Sequence, residues 1–380
     1  MNRSFSADIV VIGGGVIGLA ITRELMKRGV GNVALVERSV LGAEASSAAA
    51  GMLAPQAEAN SADDFFKLAC RSRDMYSNFS SSLLEETGID VELDTTGTLY
   101  VAFTAHDEQE VNERFEWQRR ADLPIEKVSA RDLLQLEPRV SPNVRAGLRF
   151  PLDIQVENRR LLRALGESIT KLGASVFTET RVERVVVERG KVRRVETARG
   201  NIRCDKVVLA TGCWTNELIL RSAERLFTIP FEIRPVRGQM VCLDAKELTP
   251  RHVIYSPRGY IVPRRDGRLL AGSTSEDAGF SKVTTAGGIN SILSNALEIS
   301  SSLFNLPISN SWAGLRPKAL DGLPVIGPCD EIEGLVYATG HYRNGILLTP
   351  ITAEFVGRLV MGDEVQDLVP FRPDRFRVRL

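Results

Sequence analysis

Three glycines and a glutamate near the start of the sequence have the spacing of a phosphate-binding turn. Gly13, Gly15 and Gly18 form a G-x-G-x-x-G pattern directly after an apolar run, and Glu37 stands 19 residues beyond Gly18. The first glycine allows a tight turn, the second lets a pyrophosphate approach the backbone, and the third lets a helix pack closely on a sheet. A carboxylate at Glu37 can accept hydrogen bonds from both hydroxyls of a ribose. The pattern therefore predicts a dinucleotide site.

The elements around these residues are the ones that such a site requires. The sequence predicts a buried parallel strand over residues 8–12, a helix over 17–28 capped by Gly29, and a second strand over 33–36. A G-x-G-x-x-G pattern by itself is weak evidence, but here strand, turn, helix and strand follow in order. No second such pattern follows another strand. The cofactor is therefore either NAD, or an FAD that the substrate itself reduces.

The rest of the chain alternates between two patterns. A helix over 156–172 and apolar strands over 174–177, 182–187, 206–212 and 335–339 continue the α/β alternation. Short strands separated by turn residues, over 93–103, 145–150, 234–243, 260–263 and 269–273, indicate an antiparallel sheet. We predict an α/β protein in which a discontinuous Rossmann-like domain (residues 1–88, 150–222 and 318–380) carries an inserted α+β substrate domain (residues 89–149 and 223–317).

The composition disfavours some classes of binding partner and some types of catalysis. Charged residues make up 25% of the chain and balance at 48 basic and 48 acidic, so no net field attracts nucleic acid or an anionic membrane. No apolar stretch is long enough to span a bilayer. Five cysteines without a C-x-x-C pair favour a reducing cytoplasm. The three histidines, His106, His252 and His341, lack metal-ligand spacing and lie near no cysteine, which disfavours metal and nucleophilic catalysis.

Three further segments distinguish between the two cofactors. They are Ser46-Ser47-Ala48-Ala49-Ala50-Gly51-Met52-Leu53, Trp312-Ala313-Gly314-Leu315-Arg316-Pro317 and Gly340-His341-Tyr342-Arg343-Asn344-Gly345-Ile346-Leu347-Leu348. Together they resemble the glycine oxidase branch of the D-amino acid oxidase family, and the resemblance runs from Asp8 to about Met361. It implies an FAD-binding Rossmann-like domain beside a substrate domain built on a large antiparallel sheet.

The resemblance also implies roles for individual residues. Arg316 and Tyr260 are expected to bind the substrate carboxylate, and Arg343 to serve the substrate or the flavin. A guanidinium suits this role because it forms two parallel hydrogen bonds with a carboxylate. The expected FAD-binding residues are Gly13, Gly15, Val16, Ile17, Gly18, Glu37, Arg38, Ser46, Ser47, Ala50, Gly51, Met52, Val182, His341, Arg343, Asn344, Gly345, Ile346 and Leu347. The chain after Asn344 is expected to form a helix whose N-terminal end faces the flavin.

Two residues are candidates for setting specificity. Arg258 lies two residues before Tyr260 and shares its face if the strand extends that far. Pro257-Arg258-Gly259 also has the composition of an exposed turn, which we favour. Ser275 follows a predicted strand at a point where a small polar residue enlarges a pocket.

The activity implied by the resemblance is oxidative deamination of glycine, sarcosine or small D-amino acids by hydride transfer to FAD, with oxygen as acceptor. Relatives of this kind serve thiamine biosynthesis, and a homo-oligomer is compatible with the resemblance. The main alternative is a D-amino acid dehydrogenase that reduces a quinone. A tRNA-modifying relative is disfavoured by the neutral net charge, and a non-catalytic flavoprotein by the presence of Arg316 and Tyr260.

Overall fold

The computed structural model describes residues 4–223 and 225–377, which form three large sheets and one short strand pair. The central sheet is parallel except at one edge. Its strands, in spatial order, are Val325–Pro328, Leu335–Thr339, Lys206–Leu209, Ile9–Ile12, Val33–Val36 and Ser175–Phe177. Only Val325–Pro328 runs antiparallel to its neighbour. This arrangement confirms the predicted Rossmann-like α/β architecture.

Both faces of the central sheet are buried, which explains the uninterrupted apolar runs in its strands. Val11 and Leu35 face a layer of helices, whereas Val10 and Val36 face a second sheet. This second sheet contains, in spatial order, Ser4–Ser6, Gly200–Arg203, Lys191–Thr197, Val182–Glu188, Ile219–Arg221 and Leu226–Phe227.

The third sheet has eight described strands. In spatial order they are Ile308–Ala319, Ile233–Asp244, Arg268–Gly272, Gly259–Pro263, Val253–Ser256, Thr98–Ala102, Ala146–Phe150 and Glu126–Ser129. All neighbours are antiparallel except Val253–Ser256 and Thr98–Ala102. The short pair joins Met52–Leu53 to Ile154–Gln155.

The helices cover the sheets and hold their connections. The α-helices are Val16–Lys27, Ala45–Ala48, Pro55–Glu58, Asp64–Asp74, Tyr76–Thr87, Ala105–Arg120, Ala130–Leu136, Asn158–Lys171, Ala286–Ile299 and Thr349–Met361. Short 3₁₀ helices span Gly212–Glu217, Lys246–Leu248, Ser301–Asn305, Gln366–Phe371 and Pro373–Phe376. Val16–Lys27 packs between Asn158–Lys171 and Thr349–Met361, and Ala286–Ile299 covers one face of the eight-stranded sheet.

The order of the central strands places a cleft at their carboxyl ends. The chain builds outward from Ile9–Ile12 first through Val33–Val36 and later, on the other side, through Lys206–Leu209. Ligands of open α/β sheets bind where the strand order reverses in this way. Gly13 and Ala210 follow the two strands at this point, and both line the cleft.

Candidate functional site

The nucleotide end of the cleft is formed by the first turn and the helix that follows it. Gly13 has φ of +111°, and a Cβ there would lie 2.3 Å from the carbonyl oxygen of Ala210, so glycine is required. The N-terminal end of helix Val16–Lys27 faces the cleft, and the backbone N–H of Val16 donates to Ser46 Oγ at 3.0 Å. A helix N-terminus of this kind favours the negative charge of phosphates.

Glu37 lies at the end of the second strand and lines the same part of the cleft. Its carboxylate accepts hydrogen bonds from the backbone N–H groups of Gly14, at 2.7 Å, and Ser39, at 2.8 Å. These two bonds fix the carboxylate and leave further lone pairs on its oxygens. Glu37 can therefore also accept hydrogen bonds from ribose hydroxyls.

Aromatic and charged side chains cover this end of the cleft. The Arg38 guanidinium lies 3.8 Å from the centroid of the Trp214 ring and forms an ion pair with Glu44 at 2.7 Å. Trp214 also contacts Phe280, with ring centroids 5.8 Å apart, and Lys282 binds Glu44 at 2.9 Å. The segment that carries Phe280 and Lys282 thus crosses from the eight-stranded sheet to the nucleotide end.

Segment 46–50 forms part of the cleft wall, and hydrogen bonds from other parts of the chain hold its backbone in place. Four of its carbonyl oxygens accept hydrogen bonds from side chains that the rest of the chain supplies. These bonds run from Asn158 to Ser46 (2.8 Å), Arg159 to Ser47 (3.3 Å), Trp312 to Ala48 (3.0 Å) and Arg264 to Ala50 (2.6 Å). Because the side chains on the wall are small, a flat ring can lie close to the backbone.

Arg316 occupies the far end of the cleft, on the strand Ile308–Ala319. Its guanidinium donates to Ser273 Oγ at 2.7 Å and to the carbonyl oxygen of Thr274 at 3.0 Å. Both acceptors are neutral, and none of the described Asp or Glu residues lies within 4.0 Å of this guanidinium. Arg316 therefore forms no ion pair within the described chain.

Two tyrosines face each other beside Arg316. Tyr255 and Tyr260 are partners on adjacent antiparallel strands, and their ring centroids are 5.3 Å apart. The Tyr260 hydroxyl lies 3.4 Å from Met240 Sδ, so its hydrogen-bonding capacity is only weakly used. Burial raises the pKa of Tyr255 well above its usual value, and the Glu58 carboxylate raises it further. The Tyr255 hydroxyl is therefore a neutral donor at physiological pH.

Arg343 lines the cleft close to these tyrosines but has a carboxylate partner. It donates to Glu58 Oε1 at 3.1 Å, and the same oxygen accepts a hydrogen bond from the Tyr255 hydroxyl at 3.0 Å. The Glu58 carboxylate raises the pKa of Arg343 above its usual range. Arg316 and Arg343, the arginines at the far end of the cleft, thus differ in that only Arg343 has a carboxylate partner.

His341 forms part of the wall and is buried. Its Nε2 atom lies 3.0 Å from Thr352 Oγ1, and burial lowers the pKa of the imidazole to about 3. The ring is therefore neutral at physiological pH. This matches its expected place in the wall rather than the role of a charged group.

Most of the predicted FAD-binding residues line this one cleft. The exceptions are Gly18, Ser47 and Leu347. A Cβ at Gly18 would lie 1.9 Å from the Gly13 carbonyl oxygen, so this glycine serves the packing of the helix on the turn. Ser47 Oγ donates to the carbonyl oxygen of Glu44, and the carbonyl oxygen of the buried Leu347 accepts from Ser72. The structure does not place these three on the cleft wall.

One open alternative is decided, and two sequence-based expectations need correction. Arg258 lies in the exposed turn before strand Gly259–Pro263, as we favoured, where it pairs with Asp107 at 2.8 Å and Glu298 at 2.6 Å and does not line the cleft. The strand periodicity does not extend through this turn. Ser275 is exposed because its strand ends at Gly272, and Ser273 lines the cleft in its place. The final helix begins at Thr349 and not after Asn344, with residues 345–348 forming turns.

Glu58 and Tyr255 are the site residues that the sequence analysis missed. A two-residue turn at 257–258 places Tyr255 opposite Tyr260, so the register of the hairpin was the available signal. Glu58 ends a four-residue helix six residues after Met52, and its sequence context carries no comparable signal.

The chemistry of this cleft fits FAD. A helix N-terminus suits the pyrophosphate, the Glu37 carboxylate suits a ribose, and the small residues of segment 46–50 admit the flat ring. In the described parts of the chain, no group of three or more metal-binding side chains is assembled. No helix there is long and apolar enough to cross a membrane. Fold and cleft together define a dinucleotide-binding protein with an arginine, Arg316, at the far end of its cleft.

Comparison with known proteins gives the family. Residues 8–359 match the family described as "DAO: FAD dependent oxidoreductase". The chain is 34% identical over 371 residues to a glycine oxidase of Pseudomonas aeruginosa, which covers 97% of this chain and 99% of that protein. The crystal structure of glycine oxidase from Geobacillus kaustophilus superposes with a TM-score of 0.90 at 33% identity, covering 98% of this chain and 99% of that one. The protein therefore belongs to the FAD-dependent oxidoreductase family, and its cofactor is FAD.

Other relatives are longer than this chain. The "Bifunctional protein ThiO/ThiG" of Nostoc sp. is 36% identical over 366 residues, which are 95% of this chain but 54% of that protein. The chain thus spans about half the length of the bifunctional relatives that it matches.

Proposed function

We propose that this protein oxidises the C–N bond of small amino acids, with glycine, sarcosine and small D-amino acids as the substrate class. The observation that carries the proposal is the Arg316 guanidinium, which lines the cleft with neutral partners only. A charged group held in this way favours an incoming carboxylate. The similarity to glycine oxidases supports the same substrate class.

The residues of the far end have separable roles in this proposal. Arg316 binds the substrate carboxylate through two parallel hydrogen bonds, and the Tyr260 hydroxyl donates a third. The rings of Tyr255 and Tyr260 and the side chain of Met240 line the far end of the cleft. They favour substrates with a small side chain. His341 remains neutral in the wall, so it adds no charge beside the amine.

The overall reaction accounts for all atoms and electrons. For glycine, the substrate, water and oxygen give glyoxylate, ammonia and hydrogen peroxide; sarcosine gives methylamine in place of ammonia. FAD, when bound, supplies the chemistry by accepting hydride from the α-carbon at N5. The protein holds the carboxylate so that this carbon has one orientation, which is a large part of the rate enhancement in such reactions. Five unpaired cysteines support a cytoplasmic location for this activity.

Anaerobic titration of the flavin-loaded protein tests the proposal. We expect glycine, sarcosine, D-alanine or D-proline to bleach the flavin absorbance, and air to restore it with formation of hydrogen peroxide. Bleaching that only a quinone reverses, without peroxide, would favour a D-amino acid dehydrogenase. A flavin that none of these amines bleaches would contradict the proposed substrate class.

A further inference from the structure

The far end of the cleft contains two guanidinium groups, Arg316 and Arg343, and only Arg343 has a carboxylate partner among the described residues. Arg316 has neutral partners, whereas the Arg343 guanidinium binds the Glu58 carboxylate at 3.1 Å. The backbones that carry the two arginines are joined, because the N–H of Tyr342 donates to the carbonyl oxygen of Pro317 at 2.8 Å. Glu58 therefore neutralises the second cation of one binding pocket.

The position of Glu58 is set by a network behind the cleft. The residue ends helix Pro55–Glu58, whose Ala57 N–H donates to the buried Asp153 carboxylate at 2.8 Å. The Arg114 guanidinium donates to the carbonyl oxygen of Ala57 at 3.0 Å. These bonds hold the helix in place. The Tyr255 hydroxyl and the Arg343 guanidinium donate to the same oxygen of Glu58, so the Glu58 carboxylate has one defined position.

We propose that Glu58 is a specificity-determining residue that makes the pocket select monocarboxylate substrates and reject those with a second carboxylate. The inference rests on the proposed function, because it concerns the amino acids that the site accepts. A second carboxylate that approached Arg343 would meet the Glu58 carboxylate, which lies 3.1 Å from this guanidinium, as a like charge. Removal of the Glu58 charge frees Arg343 for a second carboxylate.

Binding of unreactive acids to the flavin-loaded protein tests this role without turnover. Acetate probes the Arg316 end alone, and oxalate, malonate, succinate and glutarate probe both arginines over a range of spacings. We expect the parent protein to bind acetate at least as tightly as each diacid. In Glu58→Gln, which keeps the size of the side chain, at least one diacid should bind about tenfold more tightly relative to acetate than it does in the parent protein.

Two further variants separate specificity from a structural effect. In Glu58→Gln combined with Arg343→Gln, the gain for diacids should disappear, because the freed cation is no longer present. Glu58→Ala repeats the test with a different side chain, and the ratio of FAD to protein reports whether each variant folds. A general loss of packing would weaken acetate and diacids together, so only a change in their ratio supports the proposal.

Turnover provides the second measurement. The ratio of kcat/KM for D-glutamate to that for D-glutamine should rise about tenfold in Glu58→Gln. A parent protein that already prefers diacids, or a Glu58→Gln variant whose diacid-to-acetate ratio is unchanged, would overturn the role of Glu58 and leave the proposed oxidase intact. If no amino acid is oxidised but the diacid ratio still rises, the proposed function fails and the role of Glu58 stands for whatever acids the cleft binds.

Discussion

Replacing Arg316 with lysine keeps the positive charge but removes the planar guanidinium, which can form two parallel hydrogen bonds with a carboxylate. Loss of one charge-assisted hydrogen bond costs about 1.5–3 kcal/mol, and a tilted substrate adds to this. We expect kcat/KM for glycine to fall at least ~10-fold in Arg316→Lys, with the flavin-to-protein ratio unchanged. Glu37→Ala should show the opposite pattern, with weaker FAD binding and normal activity of the loaded fraction. Activity of Arg316→Lys within about twofold of the parent would contradict the carboxylate role.

Gly238 allows Arg316 to take its position. A Cβ at Gly238 would lie 2.2 Å from Arg316 Nη2, so Gly238→Ala must displace the guanidinium. Since the far end of a flexible side chain moves, we expect little change in stability but a fall in kcat/KM of about tenfold. The double variant with Arg316→Lys should lose much less than the sum of the two single losses. Additive losses would show that Gly238 acts independently of Arg316.

The site shows what local sequence can and cannot predict. Arg316 and the N-terminal glycines are predicted because each belongs to a motif, whereas Tyr260 is predicted from the family resemblance. Glu58 and Ser273 were missed because their place in the cleft depends on contacts with distant strands. Arg258 was open to two interpretations from its spacing alone, and only its ion pairs with Asp107 and Glu298 decide between them.

At the scale of elements, the segment that carries Phe280 links the eight-stranded sheet to the nucleotide end of the cleft. An aromatic pair such as Phe280 and Trp214 contributes about 0.5–1.5 kcal/mol beyond its buried area. We expect Phe280→Ala to raise the Kd for FAD by about 2–10-fold, measured from the fluorescence of FAD released on dilution. Phe304→Ala is the matched control, because this phenylalanine is exposed like Phe280 but pairs with no ring of the cleft lining in the described chain. Equal Kd values in the two variants would exclude a contribution of the segment to FAD retention.

Helices and strands can be predicted from the sequence where their burial leaves a clear apolar pattern. Five of the six described strands of the central sheet are predicted from their apolar runs, because both faces of this sheet are covered. Their bounds agree to within one residue, except that the strand predicted to reach residue 212 ends at Leu209. The edge strand Val325–Pro328 is not predicted. The helix Ala105–Arg120 was not assigned, because polar residues occupy most of its positions and only a few, such as Val111, are buried. The amphipathic pattern there is too weak to indicate a helix.

At the scale of the whole molecule, the pair of Arg258 and Asp107 joins a turn of the eight-stranded sheet to helix Ala105–Arg120. The Arg258 guanidinium holds the pKa of the buried Asp107 carboxyl well below its usual range. A folded-state pKa below the unfolded value stabilises the protein above about pH 4, and this contribution is lost as the pH falls further. Arg258→Ala should therefore lower the free energy of unfolding at pH 7 by about 1–3 kcal/mol.

Denaturation at several pH values checks this prediction. The difference between Arg258→Ala and the parent should narrow below about pH 4, because Asp107 then becomes protonated in the unfolded chain. Arg119→Ala removes an exposed pair with Glu116 and should change stability by less than about 0.5 kcal/mol. A difference that stays constant from pH 7 to pH 3 would mean that the effect of Arg258 does not come from the Asp107 charge.

The strand order of the central sheet has a consequence for biosynthesis. Ile9–Ile12 can pair with Val33–Val36 soon after both strands are synthesised. Its other neighbour, Lys206–Leu209, is synthesised much later and pairs on its far side with Leu335–Thr339. At about 5–20 residues per second, a ribosome needs about 15–60 s after Val36 before the last of these strands is made. During that time apolar strand edges remain open to other chains. Nascent chains that stop before Thr339 should therefore depend on chaperones and aggregate when released, whereas the complete chain closes its sheet in one late step.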